Sequence, residues 1–118
     1  MSMPTNVRFP EPVDRALADL ARREKAPKST IAVRAVSEWL RMQAHPDIRF
    51  TTELTGERRA VLAAGPQVWT VAEAWLQHEV DERSAQSVAD STGLTQQQVE
   101  SALGYWADHR DEIDALIE

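Results

Sequence analysis

The tetrapeptide Lys25-Ala26-Pro27-Lys28 stands between two amphipathic stripes and forces the first third of the chain into two helices rather than one. Apolar residues at Val13, Ala16, Leu17, Leu20 and Ala21 follow the i, i+3, i+4, i+7, i+8 pattern. That pattern predicts a helix from Glu11 to about Glu24, with Pro12 tolerated in its first turn. Pro27 lacks an N–H and biases Ala26 away from the αR region, so this helix cannot run on. Ser29 or Thr30 is the expected cap of a second helix, whose apolar face is Ile31, Ala32, Ala35, Val36, Trp39 and Leu40. Ahead of both, Thr5-Asn6-Val7-Arg8-Phe9 alternates and Pro10 ends it, which reads as one short strand. A strand and two helices in about 40 residues leave the strand unpaired and the unit too small to enclose a core. A dimer resolves both: two copies of residues 5–9 pair antiparallel, and Val7, Phe9, Leu17, Ile31, Ala35 and Trp39 form the shared core. Asn6 and Arg8 then point outward on a ribbon that fits the DNA major groove, where Asn reads adenine and Arg reads guanine.

Charge divides the chain near His45-Pro46. The 118 residues carry 13 basic and 19 acidic side chains, a net of −6 that taken alone argues against a phosphate-binding protein. Residues 1–50, however, hold nine basic against six acidic side chains, and residues 51–118 hold four against thirteen. Such asymmetry points to a nucleic-acid-binding part joined to an acidic part. The expected domains are therefore 4–44 and 45–118.

In the acidic half, Ile48-Arg49-Phe50-Thr51 and Arg59-Ala60-Val61-Leu62 are short apolar runs around Gly56 that could pair as a hairpin. Val68 to Val80 carries a helical apolar stripe, and a helix over about 85–92 stops at Gly93. Thr95 caps the next helix, with Gln98 as its capping-box partner, and a last short helix surrounds Ile113 to Ile117. Ala89, Gly93 and Val99 stand at the 0, +4 and +10 positions of a helix-turn-helix. Its second helix begins Thr95-Gln96-Gln97-Gln98 and holds no cation before Arg110, which favours a structural or protein-binding role over DNA contact. The fold class expected is mainly α: a dimeric strand-helix-helix unit, then a small helical domain with a β-hairpin and a helix-turn-helix core.

The run Asn6-Val7-Arg8-Phe9-Pro10, a helix, Lys28-Ser29-Thr30-Ile31 and Ala35-Val36 through Trp39-Leu40 resembles the ribbon-helix-helix (MetJ/Arc/CopG) family over roughly residues 4–43. The resemblance implies an obligate dimer whose strands read bases through Asn6 and Arg8, while Lys28, Ser29 and Thr30 hold a backbone phosphate. Unpaired N–H groups at a helix start give that second role an independent basis. Pro4 departs from the family pattern, as does Lys25, which replaces the usual glycine of the inter-helix turn. The stretch from His45-Pro46-Asp47-Ile48 through Gly56-Glu57-Arg58-Arg59-Ala60, Gly65-Pro66-Gln67-Val68-Trp69 and Gly93-Leu94-Thr95 to Ala102-Leu103-Gly104-Tyr105-Trp106 resembles a small helix-turn-helix family, many of whose members are VapB-type antitoxins beside PIN-domain ribonuclease toxins. Glu57-Arg58-Arg59 departs from that family's Gly-Thr-Arg centre, and the insertion before Ser84 is longer.

Together the two resemblances imply an antitoxin that represses its own operon as a homodimer on double-stranded DNA and neutralises a PIN-type toxin, with Arg58, Arg59 and Arg110 as candidate toxin contacts. The alternatives are a stand-alone dimeric repressor and a dimeric protein-interaction module that reads no DNA. No catalytic site, metal or cofactor is expected. There is no cysteine, and His45, His78 and His109 lack ligand-spaced neighbours. The serines have no nucleophile-elbow glycines, and Asp108, Asp111, Glu112 and Asp114 read as a solvated helix end. With no run of 18 apolar residues and no signal-peptide core, the expected location is the cytoplasm, away from any membrane.

Overall fold

A computed structural model describes residues 6–117 of the chain. Its contacts gather into two compact units, one ending at Trp39 and the other running from Leu40.

The first unit is helical. Helix α1 spans Glu11–Glu24 and starts directly after Pro10, with Pro12 in its first turn; Glu11 and Asp14 near its start and Arg22 and Arg23 near its end complement the helix dipole. Its C-terminus is a Schellman motif: the Ala26 N–H donates to Ala21 O at 3.0 Å and the Lys25 N–H to Arg22 O at 3.3 Å. Lys25 sits in the left-handed region at φ 55°, ψ 44°, so the turn keeps the geometry that glycine usually provides. Helix α2 spans Lys28–Ala44. The Pro27 carbonyl accepts from Thr30 N–H at 3.1 Å and Ile31 N–H at 3.3 Å, which places Ser29 and Thr30 inside the first turn rather than at the cap. Arg34 clasps Glu24 with two hydrogen bonds of 2.8 and 2.9 Å, and Lys28 pairs with Asp14 at 2.7 Å, tying the second helix back to the first.

The strand expected ahead of α1 is not formed. Residues 6–10 carry no regular structure, and the chain opens on helices; Thr5 lies outside the described residues. The ribbon-first fold class is corrected accordingly. Alternation of Val7 and Phe9 with Asn6 and Arg8 supplies two faces but no ladder partner. Among the described residues the chain's strand pairing is made elsewhere, between residues 48 and 62.

The second unit holds that sheet. Strands β1 (Ile48–Thr52) and β2 (Arg58–Leu62) pair antiparallel from Ile48↔Leu62 to Thr52↔Arg58, with Gly56 at φ 98° in the turn. Ile48, Ala60 and Leu62 are buried on the inner face. Helix α3 (Val68–Gln77) buries Val68, Val71 and Ala72. It stops three residues before Val80, because Arg83 donates to Leu76 O and His78 O and so caps its last carbonyls; Val80 then lies exposed in a separate 3₁₀ turn, Val80–Glu82. Helix α4 (Ala85–Thr92) is capped by Ser84, whose hydroxyl accepts from Ser87 N–H, and it ends at Gly93 with φ 81°. Helix α5 (Gln96–Asp108) starts in the full capping box: Gln98 N–H donates to Thr95 Oγ1 at 3.0 Å and Thr95 N–H to Gln98 Oε1 at 2.9 Å. Helix α6 (Arg110–Ile117) follows after one residue and buries Ile113. The α4–α5 pair is a helix-turn-helix whose inner side is Val88, Ala89, Val99 and Ala102, and Tyr105 lies at 0% exposure in the same core. Among the described residues no helix is long and apolar enough to cross a membrane.

Candidate functional site

In the first unit the apolar stripes are only partly covered. Ala21 and Ile31 are buried, Leu17 and Phe9 are half-buried, and Ala35 is exposed. Val13, Val33, Val36 and Trp39 are 44%, 70%, 55% and 56% exposed, and Val7 also faces solvent. Of the six residues expected to form a shared core, only Ile31 is buried within the chain's own fold. In a unit with so little enclosed surface, the Arg34–Glu24 and Lys28–Asp14 pairs add links between the helices beside buried Ala21 and Ile31, though both pairs are partly exposed and individually weak.

Its charges sort into paired and unpaired. Arg15, Arg22, Lys28 and Arg34 each meet a carboxylate, of Glu11, Asp19, Asp14 and Glu24 respectively. Among the described residues Arg8, Arg23 and Lys25 form no salt bridge, and all three are exposed. Asn6 and Arg8, expected to read bases, lie exposed in the irregular segment before α1. Ser29 and Thr30 are exposed in the first turn of α2, while the Lys28 ammonium is engaged by Asp14. A phosphate at that helix start would compete with the carboxylate for Lys28.

In the second unit the three expected toxin contacts do not share one environment. Arg58 donates to Thr52 Oγ1 across the hairpin at 2.8 Å. Arg59, half-buried on the other face of β2, lines a cavity of about 380 Å³ with Glu53, Leu54, Gln67, Trp69 and Leu116. Arg110 belongs to a different surface: its guanidinium stacks 4.5 Å from the centre of the Trp106 ring, and its Nε lies 3.7 Å from Asp114, which also accepts from the Trp106 indole N–H at 2.8 Å. On the helix-turn-helix, Gln96 donates to Glu100 at 3.2 Å, Gln98 is spent in the capping box, and Ser101 donates to Asp47 at 2.7 Å. The outward side of α5 is thus bordered by carboxylates, which disfavours phosphate contact.

One polar cluster of the second unit has no counterpart in the sequence analysis. Arg41, in the last turn of α2, donates from Nη1 to Tyr105 OH at 2.9 Å and to Glu112 Oε1 at 2.6 Å. The Tyr105 hydroxyl in turn donates to Glu112 Oε2 at 2.9 Å. Burial, reinforced by Glu112, pushes the Tyr105 hydroxyl well above the ordinary tyrosine range, so it stays protonated. The His109 ring lies 4.4 Å from that of Tyr105, and burial, with Arg41 beside it, holds His109 below the ordinary histidine range. His45 packs edge-on against Tyr105 at 5.3 Å; Asp108 Oδ2 approaches its Nε2 to 2.8 Å but off the N–H direction, so no aligned hydrogen bond forms. Partners 64 and 71 residues apart leave no local signature, and only contiguity of Tyr105 with the buried Ala102 and Trp106 hints that it turns inward. All of these residues lie in the second unit, where the cluster joins the stretch of α2 from Leu40 onward to α5 and α6, and its geometry is that of a structural clasp. Among the described residues no group of three or more His, Cys, Asp and Glu side chains is placed to hold a metal. No family model, no curated protein and no solved structure matches this chain.

Proposed function

We propose that the chain is a homodimeric, cytoplasmic DNA-binding regulator of the antitoxin kind, in which the N-terminal helical unit dimerises and contacts operator DNA and the acidic unit engages a protein toxin. The observation that carries this is the coincidence, on one small unit, of an uncovered apolar face (Val13, Val33, Val36, Trp39) with unpaired cations (Arg8, Arg23, Lys25). An apolar face of this extent on so small a unit calls for a protein partner, and a second copy supplies the self-complementary surface most economically. Doubling the unit doubles its unpaired cations, which favours a polyanion. DNA is contacted in this proposal by the basic side chains of the helical unit, with Ser29 and Thr30 at the start of α2 as further phosphate contacts. The toxin is assigned to a PIN-type nuclease on the strength of the sequence resemblance, with Arg58 and Arg59 on the hairpin and Arg110 on α6 as its contacts.

The experiment is a gel shift of the full chain on the DNA upstream of its own gene, over a range of salt. The expected result is a retarded complex whose affinity falls steeply with salt. The double variant R23A/K25A is expected to reduce the log–log salt slope by roughly 3–4 per dimer, at about 0.9 for each phosphate no longer neutralised. Binding unaffected by salt, or a slope unchanged in the variant, overturns the assignment of these cations. A second reading, a dimeric interaction module that binds no DNA, is favoured by the engagement of Lys28 by Asp14; absence of any retarded complex at low salt would establish it.

A further inference from the structure

The hairpin of the second unit has one open edge, and its hydrogen-bonding phase follows from two contacts. Leu62 N–H donates to Pro66 O, away from β1, and Glu53 N–H donates to Glu57 O, across the hairpin. Arg49 and Thr51 therefore exchange hydrogen bonds with β2, and Glu53, just past the end of β1, donates to Glu57 in the same phase, while the N–H and C=O groups of Phe50 and Thr52 point outward. Among the described residues no hydrogen bond engages those outward groups. The side chains of Arg49, Thr51 and Glu53 alternate with these and share the outer face of the strand.

We propose that β1 pairs antiparallel with β1 of a second copy about a two-fold axis through Thr51, making a four-stranded sheet. Two independent features select this register. Phe50 falls opposite the other copy's Thr52, so all four outward N–H groups of the two strands meet outward carbonyls. Arg49 falls opposite the other copy's Glu53 on the same face, twice over, and both are close, non-hydrogen-bonded pairs. A slip by one residue would face the outward groups of one strand with side-chain positions of the other and lose both matches. The groups required are within reach: Arg49 is exposed, its guanidinium resting on the carbonyls of Pro46 and Ile48, and Glu53 offers the oxygen that Gln67 does not use. An open, exposed edge of this length is a ready template for another strand, and here its own sequence is the complement.

This interface uses residues other than those of the α2 face, so a chain using both has two self-complementary surfaces, and dimers held by one are linked by the other into larger assemblies. The test is sedimentation equilibrium of the full chain at high protein concentration. In the background V33E/V36E, which charges the α2 face, the chain is expected to stay dimeric, and adding T52P is expected to yield a 13.3 kDa monomer. Proline at 52 removes an outward N–H and the hydroxyl that accepts from Arg58, and leaves the backbone ladder within the hairpin intact. R49E in the same background is expected to dissociate the dimer through the facing Glu53, and R49E/E53R to restore it. An α-proton contact between Thr51 residues of differently labelled copies fixes the register. A V33E/V36E chain that is already monomeric, or a dimer indifferent to both T52P and R49E, overturns the proposal. A wild-type mass left unchanged by V33E/V36E, with T52P still lowering it, would instead overturn only dimerisation through α2.

Discussion

Lys25 shows how one residue can obey the fold against its own preference. It holds φ 55° because the Schellman bonds to Ala21 and Arg22 require a left-handed residue between α1 and α2. A side chain there costs on the order of 1 kcal/mol relative to glycine. Lys25→Gly is therefore expected to raise stability by about 0.5–1 kcal/mol in urea denaturation, although it removes a charge; a fall in stability would show that the lysine side chain makes a compensating interaction. His109 presents the opposite case, a residue whose chemistry is set by its surroundings. Its folded-state proton affinity is lowered by burial and by Arg41, so on acidification the unfolded chain takes up the proton first. Its contribution to stability is present above about pH 6.5, the unfolded value, and is lost as the pH falls below it. The urea midpoint is expected to drop between about pH 7 and pH 5, and H109Q to show a flatter profile across that window; identical profiles would exclude His109 as the source. Neither residue's role was legible locally. The sequence marks Lys25 as a departure from glycine, but the cluster around Tyr105 draws on Arg41 and Glu112 from distant elements.

At the scale of elements, helices were read well and the first strand was not. Apolar spacing and Gly93 place α1 and α4 at their observed limits, while α2 begins at Lys28, ahead of the Ser29 or Thr30 expected to cap it, because helix formation is governed by local periodicity and by capping at each end. The capping box at Thr95 and Gln98 is a local motif and forms as its residues indicate. Thr95→Ala is expected to cost about 1 kcal/mol, and a change under about 0.3 kcal/mol would show that the tertiary packing of α5 holds its first turn unaided. Residues 6–9 have the alternation of a strand and none of its structure, since a strand exists only by pairing with another. The hairpin at 48–62 has the same alternation with a partner a short turn away, and it forms. The far end of α3 failed for a related reason: Val80 continues the apolar stripe, but Arg83, beyond it in sequence, closes the helix at Gln77.

At the scale of the whole molecule, charge was the most informative sequence feature and the apolar faces the most informative structural one. The net −6 is an average over a basic start and an acidic remainder. Within the first unit, among the described residues, Arg8, Arg23 and Lys25 form no salt bridge, and the same unit leaves Val13, Val33, Val36 and Trp39 uncovered. In a chain that also carries T52P, which closes the β1 edge, Val36→Glu, at a position 55% exposed, is expected to halve the mass of a dimer held by α2 while leaving far-ultraviolet circular dichroism unchanged, because the side chain contributes little to the packing of its own chain. Unchanged mass in solution would place the dimer interface elsewhere. The four tryptophans divide in the same way: Trp106 is buried, Trp69 and Trp75 pack on the core, and Trp39 faces outward, although all four sit on similar helical stripes. What the sequence determined by itself is what depends on neighbours within a turn or two: the limits of α1 and α4, the capping box at Thr95, the hairpin turn and the division of charge. Which stripes are covered, which strand finds a partner and which distant side chains hydrogen-bond to one another were decided only by tertiary structure, because burial and pairing depend on what the rest of the chain brings to each face.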